Sequence, residues 1–178
     1  MNTVENNPGF YSICNVGYHV LFAKDLAVDD LIEKVYNYKK EYPDSVFKSN
    51  EGGWQSIDHI HTHHDFIELA HSLNNLYFKV FKKVDQTIKS MWINISSTNN
   101  FNTPHTHGSS YEFISGVIYL QVPENSGEIA FLNPLNISNN IRFTPKAKNV
   151  VLFPQALGHL VRPNLNQKDR ISIAFNYG

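Results

Sequence analysis

A chain of 178 residues, 42% hydrophobic and 17% charged, has the composition of one ordinary globular domain and not of a disordered segment. A formal net charge of −1 gives no electrostatic reason to expect nucleic acid or an anionic membrane as partner. The single cysteine, Cys14, excludes an internal disulfide, residues 1–9 are too polar for a signal peptide, and no apolar run is long enough to span a membrane. A cytoplasmic protein is the expectation.

Residues 10–22 are rich in aromatic and β-branched side chains and predict a leading strand. Residues 29–42 predict a helix: Leu31, Ile32, Val35 and Tyr38 share a face, acids open it, lysines close it, and Pro43 stops it. Residues 51–56 read as a loop. Asp65 then resembles an N-cap with Glu68 completing a capping box, and Phe66, Leu69, Leu73, Leu76, Tyr77, Val80, Phe81 and Val84 keep helical spacing over about five turns.

Beyond Lys89 the pattern changes to short runs rich in Val, Ile, Tyr and Phe, at 91–95, 115–122, 128–132, 150–153 and 171–177, separated by Asn, Pro, Gly and Ser. Two helices followed by strands predict an α+β fold, with the helices bracing one face of an antiparallel sandwich. No repeat or linker divides the chain. One domain spanning 1–178 is expected, with helical support over about 25–90 and the main sandwich over about 91–178.

The chemistry concentrates in the strand half. His105 and His107 stand at i and i+2 after Thr103-Pro104, on a segment that proline biases towards extension, so both rings point to one side. His159 follows Gly158 and reaches that side only if the fold brings a distant strand alongside. Imidazole is the usual ligand of iron, zinc, copper or nickel, so the three histidines predict a metal centre. Arg170 and Ser172, eleven and thirteen residues beyond His159, share a strand face. Only three arginines stand among fifteen basic residues, which draws attention to the planar fork that lysine cannot reproduce. If their strand lies antiparallel beside the one ending near His159, arginine and hydroxyl together make a carboxylate receptor. The alternative places Arg170 in the exposed turn at 166–169.

In order and spacing, His105-x-His107, Gly158-His159 and Arg170-Ile171-Ser172 resemble the iron(II)- and 2-oxoglutarate-dependent oxygenases, and most nearly a small branch of that superfamily. The resemblance is carried also by Gly52-Gly53-Trp54-Gln55-Ser56, Ser115-Gly116-Val117-Ile118-Tyr119-Leu120, Phe153-Pro154 and the run from Ile173 to Asn176. It implies a double-stranded β-helix, a jelly roll of cupin-like form, with Fe(II) on His105, His107 and His159. It further implies 2-oxoglutarate on Arg170 and Ser172, Tyr119 as a further contact, and O2 as second cosubstrate. Decarboxylation of 2-oxoglutarate would then yield succinate, CO2 and an oxidant that takes hydrogen from a small molecule or an amino-acid side chain. The usual site of this superfamily has a carboxylate where His107 stands.

Three ligand sets remain open on sequence. They are the three histidines; His107 and His159 with Glu112, at a spacing like that of the cupins; or two histidines alone. The first is favoured, because i and i+2 converge on one point whereas Glu112 needs a favourable turn. A cupin-type metal enzyme without 2-oxoglutarate and a non-catalytic jelly-roll binding protein are the other functional readings. The denser group His59, His61, His63 and His64 lacks strand context and an anion site, and reads as a surface segment before a helix. Trp54 is expected in the core or over the pocket mouth, Asn94 and Asn102 along the cosubstrate pocket or in turns, and Arg162 against substrate.

Overall fold

The computed structural model describes residues 3–4, 9–13, 16–23, 28–133 and 140–178. Strands β1 (Thr3–Val4), β2 (Gly9–Ile13) and β3 (Val16–Phe22) lead into helix α1 (Val28–Glu41), strands β4 (Asn50–Glu51) and β5 (Trp54–Gln55), a single 3-10 turn (Ile60–Thr62) and helix α2 (Ile67–Phe81). The strand half comprises β6 (Ile88–Ser96), β7 (Phe101–His105), β8 (Ile114–Gln121), β9 (Ile129–Phe131), β10 (Ile141–Phe143), β11 (Asn149–Pro154), β12 (His159–Val161) and β13 (Arg170–Tyr177). The leading strand is thus a hairpin, β2 against β3, whose Cys14 and Asn15 lie outside the described residues.

Two sheets form, in the orders β1-β10-β9-β12-β7-β4 and β2-β3-β11-β8-β13-β6-β5. All their pairings are antiparallel except β1 with β10. The central strands of the larger sheet are buried on both faces, and side-chain alternation therefore feeds two cores. Ile118, Leu120, Ile171, Ile173, Phe175 and Tyr177 pack outwards with Leu31, Val35, Leu69 and Leu73 of the helices. Val117, Tyr119, Val151, Phe153 and Ala174 pack inwards against Ile129, Phe131 and Phe143 of the smaller sheet. The helices brace one sheet from outside, as the sequence predicts.

Helix α2 departs from expectation at both ends. Phe66 holds the N-cap position without a side-chain hydrogen bond, so the capping box of Asp65 and Glu68 does not form. The Asp65 carboxylate lies instead 3.7 Å from His63 Nδ1 and 3.7 Å from His64 Nε2. At the other end Lys82 turns left-handed (φ 56°) and returns its N–H to the Phe78 carbonyl, closing the helix after 15 residues. Val84 is beyond it and exposed.

One hydrogen bond ties α2 to the last strand: the buried Tyr177 hydroxyl donates to the Leu73 carbonyl at 2.6 Å. Tyr177→Phe keeps the ring and removes this bond while the Leu73 carbonyl retains its helical one, so a loss of about 0.5–1.5 kcal/mol is expected in urea unfolding, with little change in folded-state circular dichroism.

Candidate metal centre and cosubstrate pocket

Antiparallel pairing of β12 with β7 sets His159 directly opposite His105. His107 lies two residues past the end of β7, where its main-chain N–H donates to the Gln155 carbonyl at 3.0 Å. The three rings converge, with centroids 4.3 Å (His105–His159), 4.9 Å (His107–His159) and 5.4 Å (His105–His107) apart. One nitrogen from each lies within 4.8 Å of the others. Phe153 and Phe131 pack on His159 from the apolar side, and Trp92 meets the His107 ring at 5.1 Å.

Hydrogen bonds fix which nitrogen is free. Nδ1 of His105 is 2.7 Å from the Thr103 carbonyl, Nδ1 of His159 is 3.0 Å from the Leu157 carbonyl, and Nδ1 of His107 is 3.0 Å from Asn176 Oδ1. Each partner is an acceptor only, so each Nδ1 carries the proton and each Nε2 the lone pair that a metal needs. The Asn176 amide is itself oriented: its Oδ1 also accepts from the Ser115 hydroxyl (2.6 Å) and its Nδ2 donates to Ser90 Oγ (3.0 Å). Burial, with His105 nearby, pushes the His107 imidazole down to about 4; burial drives His159 well below its ordinary value and lowers His105 too. All three are neutral near pH 7, the form that binds a cation.

Arg170 opens β13 on the other sheet. Its strand does not lie beside that of His159, the condition under which the sequence would bring the two together; Arg170 instead faces the triad across the sandwich, because β13 pairs with β6 and β8 while β12 pairs with β7 and β9. Nor does it belong to the exposed turn before it, being only 2% exposed. Its guanidinium donates to the carbonyls of Ser126 (2.6 Å) and Arg162 (3.3 Å) and to Ser96 Oγ (3.1 Å). Gly127 passes so close (φ 97°) that a Cβ there would lie 2.6 Å from Nη1. No carboxylate neutralises the charge among the described residues. The adjacent Asp169 is taken by Ser97 (2.7 Å) and Tyr36 (3.0 Å). Burial weakens the guanidinium's hold on its proton, the expected response of a cation held out of water without a partner.

A cavity of about 620 Å³ joins the two features; the triad, Arg170, Ser172, Tyr119, Asn94 and Asn102 all line it. Tyr119 is buried, and burial raises its phenol well above the ordinary range. Other expectations fall elsewhere. Glu112 is exposed and outside the cavity, Arg162 is exposed and offers only its carbonyl to Arg170, and Trp54 is a core residue whose indole N–H donates to Pro43 (3.1 Å). Within the earlier histidine group, His63 and His64 gather around the Asp65 carboxylate, and His59 pairs with Asp58 on the exposed surface. Trp92, Ser115 and Asn176 were not singled out from sequence. Asn176 was in reach, since it continues the inward face of Arg170 and Ser172 at period two.

Residues 90–142 and 133–176 match the family model described as "Putative 2OG-Fe(II) oxygenase". No curated protein matches the sequence. Among solved structures, a Pseudomonas putida prolyl-4-hydroxylase is similar at TM-score 0.67 and 13% identity, over 92% of each chain. HygX from Streptomyces hygroscopicus, with nickel, 2-oxoglutarate and hygromycin B bound, gives TM-score 0.68 and 14% identity over 92% of this chain and 83% of that one. The α-ketoglutarate-dependent epimerase SnoN of nogalamycin biosynthesis gives 0.72 and 13% over 92% and 78%. The architecture is the double-stranded β-helix. Over residues 90–176, just under half of its length, the chain matches the 2OG-Fe(II) oxygenases. That family's description implies iron(II) as metal and 2-oxoglutarate as cosubstrate. The triad's three free lone pairs and the unneutralised Arg170 fit both groups.

Because the folded-state imidazole of His107 titrates near 4 and an unfolded one near 6.5, the stability it contributes is present above about pH 6.5 and is lost as pH falls towards 4. Urea unfolding of the metal-free protein at about pH 7.5 and about pH 5 checks this, and His107→Gln should flatten the dependence.

Proposed function

We propose that His105, His107 and His159 hold iron(II) through Nε2, and that Arg170, with Ser172 and Tyr119 beside it, takes the distal carboxylate of 2-oxoglutarate. On this reading residues 1–178 work as one unit that hydroxylates a small molecule or an amino-acid side chain in the cytoplasm. The observation that carries it is Arg170, a buried cation on the wall of the same cavity as the triad with no carboxylate of its own. A cupin-type reaction without 2-oxoglutarate gives that guanidinium no task.

Iron(II) with 2-oxoglutarate and O2 supplies the oxidising power to break a substrate C–H bond as the cosubstrate loses CO2. The chain's part is arrangement. Three neutral donors would leave a bound ion its full charge, which would strengthen its pull on an anionic ligand. The peptide and Asn176 acceptors keep every Nε2 turned inwards. Phe131 and Phe153 close the apolar side against water. Arg170 offers nitrogens already held by fixed carbonyls, so little freedom is lost when a carboxylate arrives.

Anaerobic addition of Fe(II) and then 2-oxoglutarate should give a visible metal-to-ligand charge-transfer band. Arg170→Met keeps most of the volume and removes the charge, so metal should still bind while the 2-oxoglutarate concentration needed for the band rises about 10- to 100-fold. Metal bound without a band in the native protein would favour the cupin-type reading.

Asn176→Ala frees the His107 ring to rotate and change tautomer, so Fe(II) affinity measured by calorimetry should fall about 10- to 100-fold. Asn176→Asp restores an acceptor and should recover most of it.

A further inference from the structure

Four carboxamide side chains line the cavity: Gln55, Asn94, Asn102 and Asn176. Two are committed within the fold. Asn176 orients His107, and Asn102 donates to Ser49 Oγ at 3.1 Å. The side chains of Gln55 and Asn94 make no hydrogen bond to any described residue. Gln55 is only 6% exposed, although its main chain is fully used: the N–H donates to Ser45 Oγ (3.0 Å) and the carbonyl accepts from Val46 (2.9 Å). A carboxamide withdrawn from water without a partner costs about 1–3 kcal/mol. Gln55 and the half-buried Asn94 instead turn their unused donors and acceptors to the same cavity, where a ligand can meet them.

Register sharpens the picture. Gln55 pairs with Asn94, Asn94 with Ser172, and Ser172 with Tyr119, so one row of polar side chains crosses the sheet from β8 to its edge at β5. Arg170 and Ser172 lie on β13; β5 is two strands away, about 10 Å at the usual spacing. A five-carbon diacid anchored between Arg170 and the triad leaves Gln55 to a second molecule, with Asn94 between the two. Arg170 is the one buried charge among the described residues that line the cavity. Besides Arg170, the charged side chains lining the cavity are Lys48 and Asp58, both exposed.

We propose that Gln55, with Asn94 beside it, is the substrate-recognition subsite of this oxygenase, and that it takes a neutral amide group next to the carbon that is oxidised. The inference rests on the oxygenase reading of the triad and Arg170. Each carboxamide presents one acceptor oxygen and an N–H pair in one plane, and another amide answers both reciprocally. A carboxylate would oppose the amide oxygens, and an ammonium would leave the N–H groups unmatched. The amide comes either from a peptide backbone or from a small primary carboxamide.

The test uses the full-length protein with Fe(II) and 2-oxoglutarate bound under anaerobic conditions. Three probe sets are titrated, with the charge-transfer band as readout: amino acids capped as N-acetyl N′-methylamides, small primary carboxamides, and uncapped amino acids with polyols. At least one capped or primary amide should shift the band, and which set does so identifies the source. Gln55→Leu, matched in size, should leave the band without probe unchanged and weaken the probe's effect at least about tenfold. Loss of the unprobed band in Gln55→Leu would assign the residue to 2-oxoglutarate and overturn the proposal. So would a response to uncapped amino acids or polyols alone, equal responses in native and variant, or no response to any amide. Absence of the band in the native protein would instead overturn the reading on which the proposal rests.

Discussion

The molecule depends on a single alternation along β13. Odd-numbered residues Ile171, Ile173, Phe175 and Tyr177 enter the core beneath the helices. Even-numbered residues turn the other way, and Arg170, Ser172 and Asn176 line the cavity. A slip of one residue would carry a guanidinium into the helical core and isoleucines into the active cavity. Burial of the apolar set therefore holds the polar set in register, and the stability of the fold and the geometry of the site are the same constraint. The strand is flanked on both sides, by β6 and β8, which leaves it no freedom to shift.

Legibility in the sequence followed the range of the interactions. The long amphipathic helix, the strand-rich half and the HxH pair are local patterns and are readable without a structure. So is the shared face of Arg170 and Ser172. What the chain could not disclose is which strands pair: β13 beside β12 was only a condition for bringing Arg170 to His159, and the two occupy opposite sheets, with Arg170 reaching the histidines across the sandwich. The helix start departs from its local pattern for a similar reason. Asp65 has the right identity for a cap, but His63 and His64 compete for its carboxylate. The free amides of Gln55 and Asn94 were legible only as residue types, because lacking a partner is a property of the whole fold.

Electrostatics explains why a site of this kind can be kept largely out of water. The three imidazoles are held neutral by burial, and their Nδ1 protons are given to carbonyl oxygens, so none brings a charge into the interior. Among the described residues the only buried formal charge in the cavity is Arg170, and it is surrounded by peptide dipoles rather than by an acid. Replacing those dipoles with an aspartate would stabilise the empty fold and remove the reason for an anion to enter.

The two-residue strand β5 sets the range over which this site could change its preferences. Gln55 hangs from the last strand of its sheet, paired on one side only, whereas Arg170 and Asn176 sit on a strand locked between two others. Exchange of side chains at the margin disturbs one ladder and no ligand of the metal. The fold thus separates Arg170 and Asn176, held between two strands, from Gln55, the proposed recognition group, which it puts where drift is cheapest.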